Sequence, residues 1–356
     1  MAKIKQKAED FKVTEVLQEK LQSRGRHRVY RLWKKGLETE EALRKIAKLS
    51  GIPIKTISHG GLKDKNAITE QFISVPEKFR LKEFSFPDLK LSFSGFLDRP
   101  ISPSIVKGNL FEILVRNGKP PEDRIKILEK YGIPNYYGEQ RFTSVRGNEL
   151  FAKHLSSGDL KNVLLYLFRP AGWEGSRSRK GKKVFLKGDY KTAAQLLSGW
   201  RKKVSLFLEK NPADLERAFK LIPKSEIAFQ LNVLQSYLFN EYLKELIKAK
   251  TTNYLTFKYK MGTMIFPIEK VEILEKLPAF TPDMEIPFYE EKLEELNIDR
   301  RGLEKFNRLF HRFKRKTVVP IRSFEVQEVK EGTLFKFFLP SGSYATNVIR
   351  FLYDAV

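Results

Sequence analysis

The chain has 356 residues, of which 41% are hydrophobic, so it can build a sizeable core in two domains or in one domain with an insertion. Lysine and arginine number 67 against 43 acids, a net charge of +24, which points to a polyanionic partner. There is no cysteine and histidine occurs four times, widely scattered. That composition excludes thiolate metal sites and cysteine nucleophiles, and no metal site is expected.

A membrane surface could also attract this charge, but the sequence shows no basic amphipathic helix, lipidation signal or bilayer-length apolar run, so no membrane partner is expected. The residues up to Lys5 are basic and lead into Glu9-Asp10 without an apolar stretch, so the expected location is the cytoplasm.

In chain order, 11–17 and 28–33 read as short strands by alternation and β-branched or aromatic content. A helix follows, with Thr39 as N-cap, Leu43, Ile46 and Ala47 on one face, Gly51 just past its end and Pro53 beyond. Strand-like runs recur at 71–75, 89–97 and 110–115. The texture then changes: 148–170, 190–209 and 226–249 are long helical patterns, and 177–187, with six basic residues and no acid, reads as a mobile basic loop. Strand character returns at 318–326, 333–338 and 344–352. The fold class expected is α+β, with a mixed, largely antiparallel sheet built from 1–155 plus 315–356 and a helix-rich insertion over 156–314.

Three basic clusters stand out: Arg24 to Lys35, the 177–187 run, and Arg312, Lys314, Arg315 and Lys316. A lone cluster is more often a solvated face than a site. Three of them, two interleaved with aromatics such as Tyr30, Trp33 and Phe313, favour an RNA surface.

One segment, His59-Gly60-Gly61-Leu62-Lys63-Asp64-Lys65-Asn66-Ala67, combines paired glycines with an aspartate between two lysines. Taken alone it is a turn bearing solvated charges. It lacks the spacing of a phosphate loop, and its carboxylate would repel phosphate. The run Gly61-x-Lys63-Asp64-Lys65-x-Ala67-x-Thr69-Glu70-Gln71 resembles the signature of the TruD family of tRNA pseudouridine synthases. Five further blocks stand in the family's order: Ile4-Lys5 before Glu9-Asp10-Phe11-x-Val13-x-Glu15; Gly108-Asn109-x-Phe111 in a strand ending at Arg116; Pro134-Asn135-Tyr136-Tyr137-Gly138-x-Gln140-Arg141-Phe142; Leu238-Phe239-Asn240; and Leu339-Pro340-Ser341-Gly342-Ser343-Tyr344-Ala345-Thr346 with Arg350 beyond.

The resemblance implies a pseudouridine synthase catalytic domain interrupted by the TruD insertion. It implies isomerisation of uridine 13 in the tRNA D arm, without a cofactor, with Asp64 as catalytic carboxylate; a monomer is expected, though sequence does not fix the oligomeric state. It assigns Lys5 as the cation keeping Asp64 ionised, Tyr137 as the ring that stacks on a turned-out uracil, and Asn135 as a neighbouring polar contact. Phe11 is either a contact to that uracil or a core residue of its strand. Lys63 and Lys65 are expected to meet phosphate. Two positions depart from the family's pattern: Tyr137 stands where bacterial members carry Phe, and Thr143 where Gly is frequent. The rival reading is a non-catalytic RNA-binding or RNA-folding protein on the same scaffold. A pure binder has no physical reason to keep Lys5, Asp64, Asn135 and an aromatic at 137 together.

Overall fold

The structure is a computed structural model describing residues 4–116, 118–172 and 174–353. Packing divides the chain into two units. One contains the chain up to Asn135, Ile268–Lys270 and the chain from Val318 onward; the other contains Tyr136–Pro267 and Val271–Thr317. The sequence texture changes near 155 and 314, whereas the packing units change at 136 and 318. The segment from Tyr136 is not yet helix-rich, but its rings already pack among residues of the second unit: Tyr137 against Phe239 and Phe142 against Tyr259.

The first unit opens with β1 (Phe11–Leu17), β2 (His27–Lys35) and α1 (Thr39–Ser50), then β3 (Ser58–His59), β4 (Ile68–Pro76), β5 (Phe84–Ser85), β6 (Leu89–Leu97) and β7 (Val106–Arg116). It continues through α2 (Glu122–Tyr131) and β8 (Ile133–Pro134). The second unit holds α3 (Phe151–Ser156), α4 (Leu160–Phe168), α5 (Ser176–Leu186), α6 (Tyr190–Leu196), α7 (Gly199–Lys210), α8 (Leu215–Lys220) and α9 (Lys224–Lys248). After these come the hairpin β9 (Tyr254–Tyr259) and β10 (Gly262–Pro267), then β11 (Lys276–Pro278), α10 (Pro287–Glu295), α11 (Arg300–Glu304) and β12 (Lys314–Lys316). The chain re-enters the first unit with β13 (Val318–Val319), β14 (Arg322–Val329), β15 (Gly332–Pro340) and α12 (Ala345–Tyr353). No helix among the described residues is long and apolar enough to cross a membrane.

The first unit is built on a nine-stranded mixed sheet, ordered β14-β15-β7-β1-β4-β2-β6-β5 with β3 on β4. Its pairings are antiparallel except β1 against β4, which run parallel in the register Lys12 opposite Ile68 and Val13 opposite Thr69. The expected mixed, largely antiparallel α+β architecture is therefore present. Helix α1 buries Ala42, Leu43, Ile46 and Ala47 against Tyr30, Leu32, Ile73 and Leu91 of the sheet; each fully buried large apolar side chain contributes about 1.5–3 kcal/mol. Gly51 ends α1 in the left-handed conformation at φ 65°, which a Cβ would disfavour.

Several expectations change in detail. Glu38, not Thr39, is the N-cap of α1, and the Thr39 hydroxyl is used elsewhere. The basic run at 177–187 is not a loop but α5, anchored by Phe185 stacked on Phe168. Six basic residues hid a helix because its buried face is narrow: Gly181, Lys182 and Phe185. The 344–352 run is α12 rather than a strand; its buried Ala345, Val348, Ile349 and Leu352 follow helical spacing, which an apolar run this dense disguises. The 148–170 pattern breaks into α3 and α4 at Gly158-Asp159, where Asp159 caps α4 by accepting the Asn162 N–H at 3.0 Å. The 190–209 pattern likewise breaks between α6 and α7.

One ion pair fixes the lead-in to β1. Asp10, 1% exposed, accepts two hydrogen bonds from Arg116 at the end of β7, at 2.7 and 3.1 Å, and one from the Lys7 N–H at 3.0 Å. The Arg116 hydrogen bond, followed by backbone N–H donors, holds the Asp10 carboxyl below its ordinary value of 3.8. Replacing Asp10 with Ala leaves the guanidinium unpaired and should cost about 3 kcal/mol in urea unfolding. Because the folded value is depressed, this contribution is fully present above pH 3.8 and should fade as pH falls through the folded value. An acid titration of wild type against the variant checks both.

Candidate active site

Parallel strands begin at the same edge of a sheet. The segment before β1 and the segment before β4 therefore arrive side by side, although Lys5 and Asp64 lie far apart in sequence. There the Lys5 ammonium meets Asp64 Oδ2 at 2.7 Å, with side chains 18% and 33% exposed. The Lys5 backbone is left-handed at φ 56°, a conformation that costs a non-glycine residue about 1–2 kcal/mol. The same ammonium stands 4.0 Å from the centroid of the Phe11 ring, a cation–π contact that orients it.

The Asp64 loop is held from beneath by its backbone. Lys34, fully buried on β2, donates to the carbonyls of Asp64 at 2.9 Å, Lys63 at 3.3 Å and Leu37 at 2.8 Å. The Thr39 hydroxyl accepts the Lys63 N–H at 2.9 Å and donates to Gln71 Oε1 at 3.3 Å, and Gln71 Nε2 reaches the Gly61 carbonyl at 3.3 Å. Gly60 is fixed by space: a Cβ there would fall 2.4 Å from Val106 Cγ2 and 3.2 Å from Glu15 Oε2. With its backbone so constrained, the loop presents the Asp64 carboxylate in one place while leaving it partly open.

The other expected site residues separate into groups. Lys63 does not extend toward solvent: it pairs with Glu15 at 2.8 Å and donates to Asn109 Oδ1 at 2.7 Å. Glu15 also accepts the Phe72 N–H at 3.1 Å, and its fully buried carboxylate requires a cation. In the structure Lys63 thus braces Glu15 and Asn109. Lys65 stays exposed, 3.7 Å from Glu38. Phe11 is 2% exposed, edge-on to Phe111 and faced by Lys5, so its core role is the one on view. Asn135 is buried at the end of β8, which pairs with β13.

Tyr137 belongs to the second unit. Asn240 on α9 brackets its backbone, accepting its N–H at 2.8 Å and donating to its carbonyl at 3.0 Å. Its ring meets Phe239 edge-on at 5.6 Å. The Arg315 guanidinium lies 4.0 Å from the ring centroid and that of Arg141 5.3 Å away.

Sequence reading missed two of these residues as individuals. Lys34 was counted in a surface cluster, yet it shares the inward face of β2 with Tyr30 and Leu32, and that alternation is the signal that could have found it. Arg315, counted in another cluster, is 8% exposed.

A family model described as tRNA pseudouridine synthase D (TruD) matches residues 1–258. A Methanococcus maripaludis protein named a probable tRNA pseudouridine synthase D is 30% identical, covering 99% of this chain and 99% of its own. The tRNA pseudouridine synthase D of Aquifex aeolicus is 30% identical, covering 99% of this chain and 98% of its own. The crystal structure of a TruD protein from Methanosarcina mazei matches with a TM-score of 0.66 at 24% identity, across 99% of this chain and 93% of that one; at that identity the likeness speaks for fold.

Burial pushes the Lys34 ammonium from 10.5 down to about 8, with the Asp64 charge pulling the other way. Its loop-holding charge should weaken above about pH 8, so turnover should fall on that alkaline side. Lys34→Met should lower turnover about 10–100-fold through misplacement of the loop and lack the alkaline limb, which a pH–rate profile reads. Stability moves the opposite way: the buried charge costs folding energy below about 8, and that cost is relieved as pH rises from about 8 to 10.5.

Proposed function

Because the chain belongs to the TruD family of tRNA pseudouridine synthases, we propose that it isomerises uridine 13 of the tRNA D arm to pseudouridine, with Asp64 as the catalytic carboxylate. The observation that carries the assignment of Asp64 is its ion pair with Lys5 on a loop whose backbone is clamped by buried side chains. Isomerisation breaks the C1′–N1 bond, turns the uracil over and joins C5 to C1′. A carboxylate serves this either by attacking C1′ or by taking the C2′ proton. Both routes need an anion held close to the sugar, and both fit a carboxylate with a fixed backbone and a partly open side chain.

The uracil has to leave its stack, and a turned-out base is gripped by an aromatic face and polar contacts. We assign the face to Tyr137 and a polar contact to Asn135. The Arg315 guanidinium over the Tyr137 ring supports this, since a flat polar group already rests there. Exposed cations such as Lys65 would meet tRNA phosphates, giving salt-sensitive binding.

The test is tritium release from tRNA labelled at C5 of uridine 13, with no cofactor or metal added. Wild type should release tritium, and Asp64→Asn should be slower by roughly a thousandfold or more. Lys5→Met should lose about a hundredfold in turnover with tRNA affinity nearly intact. Tight tRNA binding with no release by wild type would return the choice to an RNA-binding protein or to a different target uridine.

A further inference from the structure

Thr143 and the basic run over 177–187 take no part in the chemistry above, yet both border one cleft of about 550 Å³ inside the second unit. Its walls carry four cations, Arg146, Arg169, Lys182 and Arg201, against two carboxylates, Glu174 and Glu226. Two of the cations are neutralised. Lys182, 3% exposed, is ion-paired with Glu174, and Arg169 donates to Glu149 at 3.2 Å.

The other two are matched less closely. Arg201 comes no closer than 3.9 Å to Glu226, without a hydrogen bond, and its buried Nε has no partner among the described residues. One oxygen of Glu226 is also held by Gln230 at 3.3 Å. Arg146 donates only to the carbonyls of Thr143 and Val145, at 2.6 and 3.0 Å, and is in no ion pair among the described residues. Burial lowers the proton affinity of both Lys182 and Arg201, and the Arg146 charge lowers it further. Folding gains nothing from like charges converging on a concavity; a bound anion would offset their repulsion.

We propose that this cleft is a phosphate-group site that takes one nucleotide of RNA, its phosphate against Arg146 and Arg201 and its base on Phe229. Phe229 lines the cleft and is 43% exposed, an available stacking surface of the kind that holds single bases. The volume is in the range that accommodates a small ligand. The RNA occupant rests on the functional reading above, whereas the phosphate-group chemistry does not.

The test measures tRNA binding by the full chain over a range of salt, and thermal stabilisation by inorganic phosphate, for wild type, Arg201→Gln, Arg146→Gln and Phe229→Ala. Each arginine variant should weaken tRNA binding roughly tenfold and flatten the logarithmic salt slope by about one. Each should also lose the phosphate-induced rise in melting temperature. Phe229→Ala should weaken tRNA binding yet keep the phosphate response. Loss of the phosphate response in both arginine variants, with tRNA binding unchanged in all three variants, would support the phosphate site and overturn its RNA occupant. Unchanged tRNA binding and phosphate response in both arginine variants would overturn the proposal outright. Should Arg201→Gln fail to fold, the Arg146 and Phe229 variants carry the test. A wild type that binds tRNA through this cleft but never isomerises it would sink the catalytic reading and leave this one standing.

Discussion

The parallel pairing of β1 with β4 is the constraint on which the candidate site depends. Antiparallel neighbours would bring the lead-in of one strand to the exit of the other, leaving Lys5 and Asp64 at opposite edges of the sheet. Lys12 stands opposite Ile68, so the segments before these residues reach the same edge together. The register then decides whether ammonium and carboxylate can touch. Asp10 adds the second restraint: its bond to Arg116 on β7, the other neighbour of β1, ties down the short segment through which Lys5 returns. The left-handed turn at Lys5 is tolerated because its ammonium is held by Asp64 and the chain after it by Asp10, and strain of that kind persists where the surroundings over-determine it.

The loop itself illustrates a division of labour. Its backbone polar groups are satisfied inward, by Lys34, Thr39 and Gln71, while its one carboxylate faces outward to Lys5. A buried lysine is an unusual device for this, since burial disfavours its charge. Its advantage is geometric: three donors on one atom gather three carbonyls from two turns of chain. Glu15 and Lys63 do comparable work on the other side of the loop. The Lys-Asp-Lys signature therefore contains one carboxylate paired with Lys5, one part-buried brace and one exposed cation, and their different exposure separates the three.

How much of this was legible in sequence follows from which signals are local. Strands β1, β2, β4, β6 and β7 were readable because alternation and β-branching are properties of short windows. Asp64, Lys5 and Tyr137 stood out only through ordered blocks resembling a family, because no local pattern singles out a lone aspartate on a turn. The roles of Lys34 and Lys63 were hidden for a different reason: lysine is read as surface by default, and only the pairing of distant strands reveals what lies beneath it. Helices α5 and α12 were missed because one is masked by charge and the other is apolar enough to imitate a buried strand. Asn240 was quoted with its block, yet its bracket around Tyr137 joins residues a hundred positions apart, which no spacing rule reaches.

The most direct measurement is zero-length cross-linking of the folded chain with a water-soluble carbodiimide, which joins an amine to a carboxylate already in contact. Peptide mass spectrometry should find Lys5 joined to Asp64, with that product absent from Lys5→Met. Lys5 coupled only to other carboxylates, with Asp64 never joined to it, would contradict the account at its root, because the parallel register would then not be bringing the two charges together.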